Sequence, residues 1–330
     1  MTKESFIIWL IAKIILILVV FVALLLTIAF LIYAERKIIA FMQSRIGPNR
    51  VGPIGLLQPF ADITKLFLKE DLIPAGADKF LFVLAPCISV FTAFMAFSVI
   101  PFGRDIVIHN VIIPLQITNL NVGVLFLMAI FAINVYGIVL AGWSSNSKYS
   151  LFGGMRSCAQ MISYELPLGL SMVGILMLSH SLSLRSIVAA QSKHWFILMQ
   201  MPAFIVFLIS SIAETNRAPF DFPEAEPELV AGYHTEYSSF KFAMFFMAEY
   251  ASMITLSALA VTLFFGGWLG PSFLPPFIWF FIKVCLMLFF FIWLRATYPR
   301  LRYDKLMKFQ WTVLLPFSLL WILITGAILI

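Results

Sequence analysis

"IIWLIAKIILILVVFVALLLTIAFLIYAERK", residues 7–37, carries one charged side chain, Lys13, before it reaches Glu35. A helix rises about 1.5 Å per residue, so about 20 apolar residues cross the roughly 30 Å hydrocarbon core of a bilayer. The stretch from Ile7 to Ala34 exceeds that length. It is also too long, and too unlike an A-x-A cleavage site, to be a removable signal peptide, so it reads as a retained transmembrane helix.

The rest of the chain follows the same pattern. Charged residues make up 12% of the 330 and apolar residues 62%, whereas an ordinary soluble domain carries about 25% charge. Seven further runs resemble the first: Phe80–Pro101, Val122–Ala141, Met161–Leu178, Trp195–Ala213, Phe242–Trp268, Phe277–Leu294 and Trp311–Ile330. Lipid offers no hydrogen-bond partners, and runs near 20 residues rather than about 10 select helices over barrel strands. The expectation is an all-α polytopic membrane protein of eight transmembrane helices, forming one integral membrane domain over residues 1–330. Pro86, Gly137, Pro167, Gly169, Pro202, Gly266 and Pro316 lie inside the runs and predict kinked or broken helices.

Basic residues set the orientation. The loops after spans one, three, five and seven hold 16 of the 22 Lys and Arg, against Lys3, Arg104, Arg185 and Lys193 on the other side. The first set is therefore cytoplasmic, or matrix-facing in an organelle, and both termini lie on the periplasmic side. All but two of the sixteen acids, Glu4 and Asp105, are also on the inner face or within spans. The net charge of +6 is an orientation signal and does not point to nucleic acid. Cys87, Cys158 and Cys285 stand singly in or beside apolar segments, without the close spacings that hold zinc or an iron–sulfur cluster. The four histidines do not pair within a span as haem would require, and no Gly-rich phosphate loop is present. No redox cofactor is expected on this chain, and no metal.

The inner loops carry the chemistry. In the first, Gly-Pro turns at 47–48 and 52–53 stop the helix. Beyond them Gln58, Asp62, Lys65 and Lys69 recur at helical spacing opposite Leu57, Phe60, Ile63, Thr64 and Phe67, which predicts an amphipathic helix lying in the membrane interface. That helix is either a lipid anchor or the lip of a cavity for a lipid-like substrate. The loop "WSSNSKYSLFGGMRSCAQMISYE", residues 143–165, leads to Arg156 and, about two turns deeper, Glu165. Glu35, Glu214 and Glu249 lie at similar depth in three other spans. A carboxylate at the bilayer centre costs ~2.5–3.5 kcal/mol on insertion scales, so each must be protonated or paired. Sequence proximity offers Arg36 as a partner for Glu35 and Arg217 for Glu214. Four such acids in one bundle can form a proton-exchanging row.

Residues 212–237, "IAETNRAPFDFPEAEPELVAGYHTEY", hold six acids. Pro219, Pro223 and Pro227 exclude regular helix, and in extended chain Glu224, Glu226 and Glu228 share a face. The segment is expected to be an irregular acidic loop between helices five and six. It is open to two readings, a hydrated loop that docks on a basic partner or part of the site. The last inner loop, "LRATYPRLRYDKLMKF" at 294–309, places Arg295 and Arg300 directly after a span, as orientation signal, headgroup contact or supporting charge.

Together with the first loop, the strings "SCAQMISYE", "AETNRAPFDFPEAEPELVAGYHTEYSSFKFAMFFMAEY" and "LRATYPRLRYDKLM" closely resemble the H subunits of the proton-pumping NADH:quinone oxidoreductases, respiratory complex I, and the resemblance covers all eight runs. It implies a membrane component that forms part of a quinone chamber and couples quinone reduction to proton translocation. FMN and iron–sulfur clusters then belong to partner subunits of the peripheral arm, antiporter-like subunits adjoin in a bacterial inner membrane or its mitochondrial counterpart, and quinone is the substrate. By the same resemblance Arg36, Asp62, Arg217 and Phe220 line the quinone site. Glu165, Glu214 and Glu249 form the acidic row, Glu224, Glu226 and Glu228 feed it, and Arg156, Arg295 and Arg300 supply supporting charge. A secondary transporter would show intramembrane acids too, but no inverted repeat relates the halves. A purely structural anchor for the peripheral arm would share these features, and related membrane-bound hydrogenases use similar subunits without quinone.

Overall fold

The computed structural model describes residues 3–108, 111–222 and 230–329. Among these, seven helical segments are long and apolar enough to cross a membrane. They are α1 (Lys3–Met42), α3 (Lys79–Ala96, continued by one 3₁₀ turn), α4 (Gly123–Ser144), α5 (Lys148–Ser179), α8 (Ser239–Phe264), α9 (Pro276–Thr297), and α10 (Tyr303–Phe309) joined to α11 (Leu315–Leu329) through a π-helical stretch, Gln310–Leu314. The chain is an integral, polytopic membrane protein. Shorter helices among the described residues are α2 (Gln58–Leu68), α6 (Leu184–Ala190) and α7 (Met201–Glu214).

The run Trp195–Ala213 differs from the other seven. It is divided into a 3₁₀ turn, Phe196–Leu198, and the 14-residue α7. Pro202 sits in the first turn of α7, where its missing N–H costs nothing. Gln200, just before it, accepts a hydrogen bond from Trp321 Nε1 at 2.7 Å and donates to Thr325 Oγ1 at 3.2 Å. A polar anchor and a proline therefore start the helix later than hydropathy alone places it. The sequence also misses a small antiparallel ribbon on the face opposite the basic loops, β1 (Ile106–Ile108) and β2 (Val111–Ile113), with Ile106 opposite Ile113.

Packing rather than hydrophobicity must hold such a bundle together, because lipid tails are as apolar as leucine. In α8, 78% of the spanning window is buried, against 22% in α1 and 17% in the final segment. α8 is therefore the axis, with α1 and α10–α11 on the periphery. Small residues permit close approach of the backbones. A Cβ on Gly142 of α4 would lie 2.6 Å from Ser150 O and 3.1 Å from Gly154 Cα of α5. Asp78 caps α3, accepting from Phe80 N at 3.1 Å and Leu81 N at 3.3 Å. Gly266, at φ 72°, lies past the end of α8 instead of inside the span and turns the chain there, and Pro86 and Pro167 are accommodated inside α3 and α5.

Candidate functional site

The chain leaves α7 at Glu214 and turns sharply. Asn216 takes the left-handed conformation, φ 51°, which asparagine tolerates better than most residues. The turn is held from α5, where Gln160, fully buried, donates to Ala213 O at 2.8 Å and Phe220 O at 2.9 Å. One amide thus clamps both limbs of the loop. Nothing in the sequence singles out Gln160, since a lone glutamine in a span carries no motif.

That turn aims Arg217 into the bundle rather than back along α7. Its Nη1 lies 3.3 Å from Glu35 Oε1 of α1 and its Nε 2.6 Å from Glu249 Oε1 of α8. The guanidinium also stacks 4.2 Å from the Tyr250 ring centroid. Tyr250 donates to Glu35 Oε2 at 2.8 Å, and Arg295 of α9 closes on Glu35 Oε1. Two carboxylates and two guanidiniums from α1, α8, α9 and the loop therefore form one charge-balanced node. Burial works against the charge on Arg217, yet Glu249, Tyr250 and Glu35 outweigh it and hold its pKa well above the ordinary value. The partners suggested by sequence proximity are corrected here. Glu35 pairs with Arg217 and Arg295 instead of Arg36, and Arg217 serves Glu35 and Glu249 instead of Glu214.

Glu165 and Glu214 have a different environment. Among the described residues no basic side chain lies within ion-pairing distance of either, and Glu214 Oε2 is buried without a hydrogen-bond partner. The two acids are near enough for their charges to repel. Glu214 opens onto a cavity of about 20 Å³ that it shares with Glu249, Asn134, Asn216, Tyr233 and Ser252. That space and those polar walls suit one water molecule.

Arg36 and Asp62 meet at 2.6 Å between α1 and α2, with Gln58 donating to the second carboxylate oxygen at 3.0 Å. The amphipathic spacing thus falls on a helix, α2. This pair is part-exposed, whereas Arg217 and Phe220 are buried, the latter with its ring 5.9 Å from Tyr164. Arg300 reaches Asp221 at 2.8 Å and fastens the loop to the segment before α10. Arg156 is half-buried on α5. Glu224, Glu226 and Glu228 lie outside the described residues. Beyond them His234 is buried in a 3₁₀ turn, its ring packed edge-on against Phe242 at 5.4 Å. Burial drives His234 down to about 4, with Asp221 pulling the other way. Among the described residues no group of three or more His, Cys, Asp or Glu side chains is arranged to hold a metal.

A family model described as NADH dehydrogenase matches residues 14–326. Of the NADH-quinone oxidoreductase H subunits, the one numbered 2 in Geobacter metallireducens is 58% identical, over 96% of this chain and 95% of its own. The one numbered 1 in Geobacter sulfurreducens is 57% identical over 94% and 93%. The chain belongs to the H-subunit family. The H subunit of Paramagnetospirillum magneticum, at 52% identity over 93% of this chain and 89% of its own, extends the similarity to a further genus. Membership of this family makes the chain a membrane component of NADH-quinone oxidoreductase, respiratory complex I, working among that complex's other subunits.

Proposed function

We propose that the chain forms the membrane-side part of the quinone chamber and converts quinone reduction into proton movement through its buried carboxylates. The observation that carries this is the difference between the two acid sets. Glu35 and Glu249 are locked to Arg217 and Arg295, while Glu165 and Glu214 have no such counter-charge among the described residues. An uncompensated buried carboxylate is expensive, so Glu165 and Glu214 are the members that take up and release protons. The node is the part that senses charge.

In this reading Arg36 and Asp62 flank the passage for the quinone tail, and Phe220 and Arg217 lie at its inner end, beneath the surface a partner subunit closes. Quinone reduction takes up electrons and protons and alters local charge. Arg217 responds by shifting its weight between Glu35 and Glu249, which moves the loop and changes the field at Glu214. Glu224, Glu226 and Glu228 supply protons from the loop, and Arg156, Arg295 and Arg300 balance charge. The output passes to antiporter-like neighbours. FMN, the iron–sulfur clusters and the quinone headgroup contacts belong to peripheral-arm subunits, and this chain binds no redox cofactor of its own.

α7, extended by the turn at Phe196–Leu198, completes an eighth crossing, so the whole chain is one membrane domain. Both termini then face the periplasm of a bacterial inner membrane, with the basic loops in the cytoplasm. Quinone reductase activity and proton pumping are to be measured in complexes carrying Glu165→Gln, Glu214→Gln or Glu228→Gln. Reduced pumping with retained assembly supports the proposal. Full coupled turnover in all three would end it.

A further inference from the structure

The amphipathic helix α2 is exposed along most of its length, yet its C-terminal end is gripped by four consecutive residues at the start of α8. The last carbonyls of a helix have no partner within it. Ser239, itself buried, shares its hydroxyl between Lys69 O at 2.8 Å and Leu66 O at 3.1 Å. Ser238 donates to Glu70 O at 3.3 Å and accepts from Leu72 N at 3.0 Å. Phe240 stacks on Phe67 with centroids 4.9 Å apart, and Lys241 pairs with Asp71 at 2.8 Å. Ser239 makes its contacts from φ 56°, a conformation uncommon for a residue with a side chain and one that surrounding contacts must hold. Behind it Tyr237 donates to Phe82 O at 3.1 Å and lies flat on the Phe82 ring at 4.0 Å. α8 then runs unbroken to Glu249 and Tyr250.

We propose that Ser239 is a positioning residue. It latches the end of α2 to α8, fixes the width of the gap between α1 and α2, and thereby sets how readily a quinone with a long apolar tail is used. This rests on the reading of α2 as one wall of the tail passage. The position needs a residue that accepts the left-handed backbone and carries a donor, because the carbonyls of Leu66 and Lys69 require one.

The test uses the intact complex with a nitroxide label at Leu68→Cys, a position 82% exposed, and the variants Ser239→Gly, Ser239→Asn and Lys241→Met. Glycine accepts the backbone conformation but removes the donor, and asparagine accepts it and keeps one. In Ser239→Gly the label gains mobility and the KM for a long-tailed quinone rises several-fold. The kcat, and the KM for a tail-less quinone, stay the same. Ser239→Asn restores both readouts, and Lys241→Met loosens the label by a smaller amount. Unchanged label mobility in Ser239→Gly and Lys241→Met overturns the latch. A loosened label with an unchanged KM overturns its role in tail access and traces the failure to the passage reading instead of the latch.

Discussion

Arg217→Met removes a side chain that joins α1, α8 and the loop after α7 in one ion-pair node. The side chains of Arg217 and Glu249 are 8% and 14% exposed, so solvent does little to screen the loss. Breaking a buried pair from one side costs ~3–5 kcal/mol, mostly as the charge left behind. Glu35 keeps Arg295 and the Tyr250 hydroxyl, so the loss falls mainly on Glu249, whose ion pair with Arg217 is gone, and the low end, about 3 kcal/mol, is expected. Loss of the contact with the Tyr250 ring adds roughly 0.5–2 kcal/mol. Replacing Glu249 by glutamine in the same background removes the charge that Arg217 had balanced and recovers most of the first cost. The double-mutant cycle should therefore show a coupling of roughly 2–3 kcal/mol, near the top of the range for residues in contact. Stability of the assembled complex to heat gives one reading of the cycle, and quinone or inhibitor affinity gives a second, with Arg217→Met weaker than the parent. Additive effects of the two substitutions would refute the node, and unaltered quinone affinity would withdraw Arg217 from the chamber.

Two further outcomes follow from the loop and its seat. His234 titrates near 4 in the fold and about 6.5 in unfolded chain. Between those values the unfolded chain binds the extra proton, so the loop loses stability as pH falls from about 6.5 toward about 4, on the order of 3 kcal/mol in all. Limited proteolysis of residues 230–238 should accelerate over that window and lose its acid dependence in His234→Gln, and an identical pH response in the variant would contradict this. Gly153→Ala should unseat the same turn, because its Cβ would lie 2.7 Å from both Gly232 Cα and Tyr233 N, backbone atoms that cannot swing aside. Overpacking of this kind costs ~1–3 kcal/mol, and normal assembly with an unshifted proteolysis pattern would count against it.

The membrane architecture was legible because its signal is cumulative. Each of the long spans needs only about 20 apolar residues in a row, and Gly-Pro turns and charge mark their ends. The run at 195–213 reads as one span because hydropathy does not weigh a single glutamine. Gln200 finds partners in Trp321 and Thr325, more than a hundred residues away, and with Pro202 it delays the helix. The ribbon at 106–113 has strands of three residues, too short for alternation to register.

The site was legible in its residue types and opaque in its pairings. An acid at membrane depth announces itself by cost, so Glu35, Glu165, Glu214 and Glu249 stand out in the sequence. Their partners do not. Neighbours at i and i+1 on a helix face apart, which already weakens Glu35–Arg36. The turn at Asn216 then carries Arg217 away from Glu214 and onto α1 and α8, a result that depends on Gln160 in another helix. Long-range pairing of this kind is a property of the packed bundle, and no spacing in the chain encodes it.

The proposed coupling stands or falls on whether quinone reduction changes the protonation of Glu214 and Glu165. Infrared difference spectra of the intact complex, recorded between oxidised and reduced quinone, observe protonated carboxyl groups directly through their C=O stretch. The parent complex should show a redox-linked carboxyl signal that is diminished in Glu214→Gln and again in Glu165→Gln, while Arg217→Met shifts its position. A signal unchanged in both glutamine variants would contradict the coupling.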